Sequence, residues 1–541
     1  MSSMLIPLAA LSLYAVWRLF QAFTRRSPLD NIPGPASASI LWGNTPAFFN
    51  HNNWDFVEKL VETYSPVSAI HGFLGAKWLH VYDPKAIHSI LVKDVSSYRK
   101  GSGTEVGAQL LLGPGLLATN GEQHKRQRKM LNPVFSAAYM RTMTPFFHEV
   151  VGKLRDAIEA RISAGAPEID IAGWMARAAL ELVGQGGLGH SFDPLVHETK
   201  DDYTEAVKAL IPVFAEVEWI RFFLPFVNYL GPAWFRRMLL DLVPHKGVQR
   251  LKRIVDVMHR RSLEIYHERK AAALRGDDPT SSHSANGQDV MSVLLRANIA
   301  ASADDKLPDE EVIAQMSTFI LAGVDTTSNA LSRILHLLAE HPDIQAKLRA
   351  ELQEAYERYG DKIPYNELMQ LPYLDAVCRE TLRLHSPVTF VGRETACDTI
   401  LPFSTELRGV DGTLMTEVVV PKGTVILLNN QACNVSKALW GEDAHVWRPE
   451  RWLQPLPREV EEARVPGIYA NLMTFSAGSY SCIGFKFSQL EMKVVLSTLV
   501  RSFKFGLPDK PVTWNSAAVV YPTMGGPDNL RAEMFLKVKL A

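Results

Sequence analysis

The stretch Phe475-Ser-Ala-Gly478-Ser-Tyr-Ser-Cys482-Ile-Gly484 determines how the rest of this 541-residue chain is interpreted. Its glycines allow tight turns and a close approach of the backbone to a flat ligand. A long helical pattern follows, so Cys482 is expected at a helix N-terminus, where the macrodipole favours the thiolate over the thiol. Such a thiolate is a strong axial ligand for haem iron and promotes O–O cleavage. The alternative is a small buried hydrophobe in a glycine-rich turn.

A second motif, Ala322-Gly323-Val-Asp325-Thr326-Thr327, lies inside a helical pattern that runs from Asp309 to Ala339. Glycine, aspartate and threonine each weaken a purely structural helix by roughly several tenths of a kcal/mol. A threonine hydroxyl can bond the carbonyl four residues back and locally open the helix. The resulting groove suits dioxygen and a water molecule. An incidental helix kink is the alternative interpretation.

A third motif places His124 and Arg128 four residues apart, so one helix face carries both side chains. The guanidinium of Arg128 matches a carboxylate bidentately. The neighbouring Lys125, Arg126 and Lys129 are interpreted as a solvated basic face that could help to dock an acidic electron donor.

With these motifs in this order, the chain resembles the cytochrome P-450 family of haem-thiolate monooxygenases from about Ile32 to the C-terminus, and most closely its fungal microsomal members. The resemblance implies a mainly α fold with small β-sheets, preceded by an N-terminal membrane-anchor helix. It also implies haem b as the cofactor, with Cys482 as the axial ligand of the iron.

The resemblance assigns roles to individual residues. Thr326 would hydrogen-bond the bound oxygen, Asp325 would relay protons, and Gly323 would let the helix pass close to the haem. The other residues expected to bind haem are His124, Arg128, Arg393, Tyr480, Phe475 and Gly478. The pair Glu380 and Arg383, joined by Arg451 of the Pro-Glu-Arg-Trp motif, would be structural and lie near the haem.

One position departs from the family pattern. Most members have arginine or histidine two residues before the cysteine, in contact with a propionate, and this chain has Tyr480. A phenol can donate a hydrogen bond but supplies no positive charge. Haem binding is therefore expected to depend on His124, Arg128 and Arg393.

The composition agrees with one large catalytic domain in a reducing compartment. Hydrophobic residues make up 47% of the chain, and four cysteines do not form a disulfide framework. The net charge of −1 gives no basic footprint, so no nucleic-acid partner is expected.

The N-terminus is expected to attach the protein to a membrane. Met4 to Phe23 is mostly apolar and is followed by Arg25 and Arg26, which predicts an anchor helix with the catalytic domain facing the cytosol. The resemblance to microsomal members implies that the membrane is that of the endoplasmic reticulum. A tilted or interfacial helix is the alternative. The predicted organisation is a membrane anchor (1–26), a proline-rich hinge (27–45) and a haem-thiolate catalytic domain (46–541).

Along the catalytic domain, Val67 to Tyr82 predicts a β-hairpin and Gly101 to Leu117 a glycine-rich loop. The resemblance implies that this loop lies over the substrate. Gly113-Pro-Gly115 matches a loose dinucleotide fingerprint, which we reject because no strand precedes it. The aromatic, proline-interrupted region Ala206 to Leu242 predicts an exposed apolar loop, with a core stripe as the alternative. The resemblance to microsomal members implies that this region dips into the bilayer and roofs the substrate channel. Gly276 to Gln288 predicts a linker.

The leading hypothesis is a membrane-bound monooxygenase that oxidises a lipophilic small molecule, such as a terpenoid or another secondary metabolite. Its electrons would come from NADPH through a separate cytochrome P-450 reductase, with cytochrome b5 as a second candidate donor, because the chain has no flavin or nucleotide motif. The rivals are an isomerase or dehydratase of the same fold that acts on peroxides, and a non-catalytic haem sensor or carrier. The intact Asp325-Thr326 pair favours the monooxygenase.

Overall fold

The computed structural model describes residues 14, 17, 27–193, 195, 202–217, 220, 223–275, 289–526, 529 and 531–541. The α-helices of this part are α1 Thr45–Phe48, α2 Trp54–Thr63, α3 Pro84–His88, α4 Ser102–Leu112, α5 Gly121–Leu131, α6 Ala137–Ser163, α7 Ile171–Val183, α8 Asp202–Glu216, α9 Leu224–Val227, α10 Ala233–Asp241, α11 Lys246–Arg275, α12 Val290–Ala300, α13 Asp309–Glu340, α14 Pro342–Tyr359, α15 Tyr365–Met369, α16 Pro372–Leu384, α17 Asn430–Asn434, α18 Lys437–Trp440, α19 Arg458–Ala463 and α20 Phe485–Ser502.

The strands are short by comparison: β1 Val67–His71, β2 Lys77–Val81, β3 Tyr98–Arg99, β4 Ile169–Asp170, β5 Phe390–Thr395, β6 Thr399–Arg408, β7 Leu414–Val420, β8 Val425–Asn429, β9 Phe503–Gly506, β10 Val512–Asn515, β11 Tyr521–Met524 and β12 Phe535–Leu540. Helices therefore dominate, and the predicted mainly α fold with small β-sheets is confirmed.

The chain divides into two compact units, and the smaller one comprises Met1–Ser102, Phe390–Gly441 and Arg458–Ser481. Its main sheet has the strand order β1-β2-β8-β5-β3. The predicted hairpin is confirmed, since β1 and β2 pair antiparallel with Val67 opposite Val81. The strands β6 and β7 form a second hairpin in the same unit.

The core of the smaller unit packs both sheets against α3. Asp83 caps this helix by accepting a hydrogen bond from the Ala86 N–H at 2.9 Å, and Pro84 fits its first turn. Leu29 and Ile32, from the predicted hinge, are buried in this core. The packing of these two residues shows that part of the hinge belongs to the folded body, while the boundaries of the hinge remain a prediction.

The larger unit comprises Gly103–Thr389, Glu442–Pro457 and Cys482–Ala541. Its longest helix is α13, whose 32 residues span roughly 48 Å at 1.5 Å per residue. Most of its side chains are buried, as is usual for a helix that is apolar on several faces. The predicted helix beginning at Asp309 is confirmed.

The loop predicted for Gly101 to Leu117 is wrong in its first part, where α4 forms. The helix forms despite its glycines because Val106, Gly107 and Leu112 are buried. A Cβ atom at Gly107 would lie 2.9 Å from Leu224 Cδ1, so a small residue is needed at this position. Packing here outweighs the low helix propensity of glycine.

In the part of the chain that the structure describes, no helix combines the length and the apolar character needed to cross a membrane. The predicted anchor Met4 to Phe23 lies outside that part, except for Tyr14 and Trp17, and so does the predicted linker Gly276 to Gln288. Trp219 and Phe222 of the aromatic region also lie outside it.

Candidate active site

The loop before Cys482 needs glycine at one position for a reason that the sequence did not show. Gly478 has φ +63°, and a Cβ atom there would lie 1.9 Å from the carbonyl oxygen of Leu91 in the smaller unit. Any larger residue would push the loop away from this backbone. Phe475 packs its ring against Tyr469, with 5.6 Å between the ring centroids, and so helps to fix the start of the same loop.

Cys482 begins the last segment of the larger unit, and its side chain is solvent-accessible and free of any disulfide. The helix α20 starts at Phe485, three residues further along. Desolvation by the surrounding protein raises the pKa of the thiol, while a hydrogen bond with the Gly484 backbone and the nearby Arg128 lower it. Desolvation thus opposes the predicted effect of the helix dipole on the pKa of the thiol. A bound metal cation would still deprotonate the thiol, because its charge outweighs these effects.

His124 and Arg128 both lie on α5, as predicted, and His124 is buried. Arg128 is half-buried, and this burial lowers the pKa of its guanidinium, while the thiol of Cys482 acts in the opposite direction. The cation therefore lies within electrostatic range of the cysteine, and the binding of haem by His124 and Arg128 stays a prediction.

The predicted solvated basic face of α5 is only partly correct. Lys125 and Lys129 are exposed and form surface ion pairs with Glu122 and Asp305. Arg126, by contrast, binds a buried carboxylate, with 2.9 Å between its Nη2 atom and Glu311 Oε1. Its partner lies 185 residues further along the chain, so the spacing of charges along α5 could not reveal the pair.

The motif around Thr326 lies in the middle of α13. The Thr326 hydroxyl donates a hydrogen bond of 2.7 Å to the carbonyl of Ala322, as predicted. The helix continues through this turn, so the predicted local opening is not seen. Ala322 is nevertheless exposed, whereas Ile320 and Val324 on either side are buried. One face of α13 therefore opens onto free space beside Thr326.

Gly323 has a packing role that the sequence did not indicate. A Cβ atom at this position would lie 2.8 Å from Val183 Cγ2 on α7. Glycine thus allows α7 and α13 to approach closely, which small residues at helix crossings commonly do. Its predicted closeness to haem remains a prediction.

Asp325 carries the most perturbed carboxyl group of this motif, because burial raises its pKa from 3.8 to about 7. A carboxyl group with this pKa is poised both to give and to take a proton at neutral pH. Its backbone carbonyl accepts a hydrogen bond of 2.8 Å from Asn329 Nδ2.

We expect Asp325→Asn to change the pH dependence of stability. Between about pH 4 and pH 7 the folded chain holds a proton on Asp325 that the unfolded chain has released, so stability falls as the pH rises through this window. Asparagine does not titrate. The free energy of unfolding of the variant, relative to that of the wild type, should therefore increase by up to about 1.4 kcal/mol per pH unit up to about pH 7 and then stay constant. Denaturant titrations of the haem-loaded proteins measure this difference. A difference in the free energy of unfolding that does not vary with pH would contradict the raised pKa of Asp325.

A second group of charges surrounds Glu380, which is fully buried on α16. Arg383 donates to both carboxylate oxygens, at 2.9 and 2.8 Å, and Arg451 lies 3.4 Å from Glu380 Oε1. Trp452 Nε1 and the backbone N–H of Arg448 complete the set at 2.9 and 3.1 Å. The predicted association of the two arginines with this glutamate is confirmed, and Trp452 is an addition.

In the smaller unit, two cations lie close to the ring of Tyr480. The Arg393 guanidinium is 5.2 Å from the centre of this ring, and the Lys100 Nζ atom is 5.1 Å from it. Both cations are buried, and burial lowers the pKa of Arg393 to about 10. Lys100 follows β3, whose register with β5 pairs Arg99 with Glu394 and so brings Lys100 opposite Arg393.

Sequence reasoning missed Lys100, because the antiparallel β3–β5 register that brings it to Tyr480 joins segments about three hundred residues apart. The Arg393 Nε atom has no hydrogen-bond partner among the described residues. A buried guanidinium with a free donor fits a carboxylate-bearing ligand. Within the larger unit, the accessible thiol of Cys482 and the half-buried Arg128 are the corresponding candidates for a metal-centred anionic cofactor.

Comparison with known sequences identifies the chain as a haem-thiolate protein. A profile of the cytochrome P450 family matches residues 33–523. The chain is 51% identical to a ganoderic acid synthetase of Ganoderma lucidum, over 99% of both chains. It is 49% identical to cytochrome P450 monooxygenase 91 of Postia placenta, over 97% of this chain and 96% of the relative. It is also 36% identical to a cytochrome P450 monooxygenase of Hericium erinaceus, over 95% and 94%.

The chain belongs to the cytochrome P450 family. It is a monooxygenase whose cofactor is haem, and members of this family act on lipophilic substrates with electrons from a redox partner.

Proposed function

We propose that this monooxygenase hydroxylates or otherwise oxidises a terpenoid or a similar lipophilic secondary metabolite. The observation that carries the proposal is the likeness over 99% of both chains to a relative named as a ganoderic acid synthetase. The exposed face of α13 at Ala322, bordered by buried apolar side chains, is consistent with a lipophilic substrate.

Haem, when bound, supplies the oxidising chemistry, and the protein residues bind and orient the reactants. Cys482 is the proposed axial ligand, and His124, Arg128 and Arg393 are the proposed propionate donors, with Phe475, Gly478 and Tyr480 shaping the loop. The Thr326 hydroxyl holds a water molecule, which serves as the proton donor, beside the exposed face of α13. Asp325, with a pKa raised to about 7, exchanges protons with solvent at the pH of the cell.

The cation that Tyr480 lacks is supplied, in this proposal, by Lys100. We expect Lys100→Met to speed the loss of haem roughly tenfold, since one charge-assisted hydrogen bond to a carboxylate is removed. Transfer of haem to apo-myoglobin measures the rate, and the exposed Lys93→Met serves as the control. Equal rates for Lys100→Met and wild type would exclude Lys100 from the propionate contacts.

We further propose that the protein is attached to the endoplasmic reticulum membrane and receives electrons from an NADPH-dependent cytochrome P-450 reductase. The apolar stretch from Met4 to Phe23 supports attachment. A second support is a series of exposed apolar side chains in the region predicted to dip into the bilayer: Phe223, Phe226, Tyr229, Leu230, Trp234, Met238, Leu240 and Leu242. Sedimentation with microsomes, before and after removal of residues 1–26, tests this attachment.

Product analysis with the reductase tests the proposed substrate class. We expect oxidised products from members of a triterpenoid panel and none from fatty acids or simple aromatics of similar hydrophobicity. Turnover of fatty acids alone would overturn the terpenoid assignment while leaving the monooxygenase assignment intact.

A further inference from the structure

A buried polar network in the larger unit joins three segments that the sequence analysis treated separately. Its centre is Glu311, in the first turn of α13, which is 5% exposed. The Glu311 carboxylate accepts hydrogen bonds from Gln123 at 3.0 Å, from Arg126 at 2.9 Å and from Gln127 at 2.7 Å. All three donors belong to α5, the helix that also carries His124 and Arg128.

Gln127 extends the network to the segment 113–119, the part of the predicted substrate loop that follows α4. Its Nε2 atom donates to the carbonyl of Pro114 at 2.8 Å, and its Oε1 atom accepts from the Thr119 hydroxyl at 3.1 Å. Gln127 has no exposed surface, so both ends of this amide are satisfied only by the protein. The Glu311 carboxylate therefore fixes the orientation of the amide that holds the segment.

The segment 113–119 also contacts α13 directly. The backbone N–H of Leu116 donates to Gln315 Oε1 at 3.1 Å, one helical turn after Glu311. A Cβ atom at Gly115 would lie 2.5 Å from Thr318 Oγ1 and 2.9 Å from the carbonyl of Ala314. Gly115, which belongs to the rejected dinucleotide fingerprint, thus allows the backbone of the segment to approach α13 closely.

The contacted residues point to the active face of α13. At 100° per residue, Glu311, Gln315, Thr318, Ala322 and Thr326 fall within one stripe of the helix surface. Thr318 precedes the exposed Ala322 by four residues, or roughly 6 Å along the axis. The segment 113–119 therefore forms the N-terminal boundary of the exposed face of α13.

We propose that Glu311 is a positioning residue that clamps the segment 113–119 onto α13, and that the clamped segment limits the entry of bulky molecules to the face that carries Ala322 and Thr326. The clamp itself follows from the hydrogen bonds above. The limit on entry rests on the proposed function, because it concerns ligands that approach the haem. Replacing the Glu311 carboxylate by an amide removes the negative charge that binds Arg126. It also places an NH2 donor where a carboxylate oxygen accepted hydrogen bonds from α5.

The test uses haem-loaded Glu311→Gln and a control, Lys129→Met. The control breaks the ion pair of Lys129 and Asp305. Like the Glu311 network, this pair joins α5 to the region of α13, but it lies on the protein surface. We expect hydrogen exchange in residues 113–119 to increase about tenfold in Glu311→Gln and to be unchanged in Lys129→Met. Gln127→Met, which keeps the pair of Arg126 and Glu311 but cuts the link to Pro114, should give the same increase.

Entry is measured by the association rates of imidazole and of the bulkier 1-phenylimidazole, followed at the Soret band. The ratio of the phenylimidazole rate to the imidazole rate should increase several-fold in Glu311→Gln and Gln127→Met, and remain at the wild-type value in the control. Unchanged exchange in both variants would overturn the clamp. Increased exchange with an unchanged ratio would overturn the limit on entry. A wild-type protein without bound haem would refute the proposed function instead, and the exchange experiment would still decide the clamp.

Discussion

Replacing Cys482 by alanine should abolish the red-shifted Soret band of the reduced, CO-bound protein. The band reports a thiolate ligand, and the loop from Phe475 to Gly484 contains no second sulfur donor. The accessible side chain of Cys482 and its electrostatic proximity to Arg128 support this assignment. Because the ligand is lost outright, we expect complete loss of turnover with the reductase.

The matched control is Cys397→Ala, since Cys397 is also exposed but lies in the turn between β5 and β6. The control should retain the red-shifted band and full activity. Circular dichroism of Cys482→Ala would confirm that the variant folds. A folded Cys482→Ala protein that kept the band would show that another residue ligates the iron.

Replacing Thr326 by alanine should leave haem binding and substrate affinity nearly unchanged while electrons are diverted from product. The Thr326 hydroxyl lies on the open face of α13 and is held by the carbonyl of Ala322. In our account it positions a proton donor, so that protonation leads to product and peroxide is not released. NADPH should still be consumed, and the ratio of hydrogen peroxide to product should increase at least about tenfold.

Ser332→Ala is the control for this prediction. Its hydroxyl makes the same kind of bond, 2.7 Å to the carbonyl of Ser328 on the same helix, but Ser332 is fully buried. Coupling should stay at the wild-type level in Ser332→Ala. Wild-type coupling in Thr326→Ala, measured with a verified substrate, would mean that Thr326 has only a structural role.

Local patterns predicted the parts of this site that lie on single helices. The i,i+3 spacing of Glu380 and Arg383 and the i,i+4 bond of Thr326 both depend only on helix geometry, and both are observed. The resemblance also brought Arg451 to Glu380. Trp452 was not anticipated as a further donor, because its contact depends on the turn that follows Pro449.

The contacts that the sequence did not reveal join segments far apart in the chain. Arg126 was assigned to a solvated basic face together with Lys125 and Lys129. Those two lysines are exposed, but the Arg126 side chain binds a carboxylate on α13. Nothing in the sequence around Lys100 indicates that it reaches Tyr480, because the β3–β5 register determines this contact.

The pKa of Cys482 likewise depends on segments that are far apart in the chain. The helix dipole can be inferred from the sequence, whereas desolvation depends on every segment that surrounds the thiol. Desolvation is the larger influence, and it raises the pKa. The pKa of Asp325, which burial raises to about 7, was not predicted from the sequence either.

The most direct test of the central claim follows the fate of dioxygen. The wild-type protein, with the reductase and NADPH, is supplied with isotopically labelled dioxygen in unlabelled water, and the product from an accepted triterpenoid is analysed by mass spectrometry. Our account predicts one labelled oxygen atom in each product molecule and the other in water. A product that forms without label, or without consuming dioxygen, would contradict the account and point to an isomerase or dehydratase of the same fold.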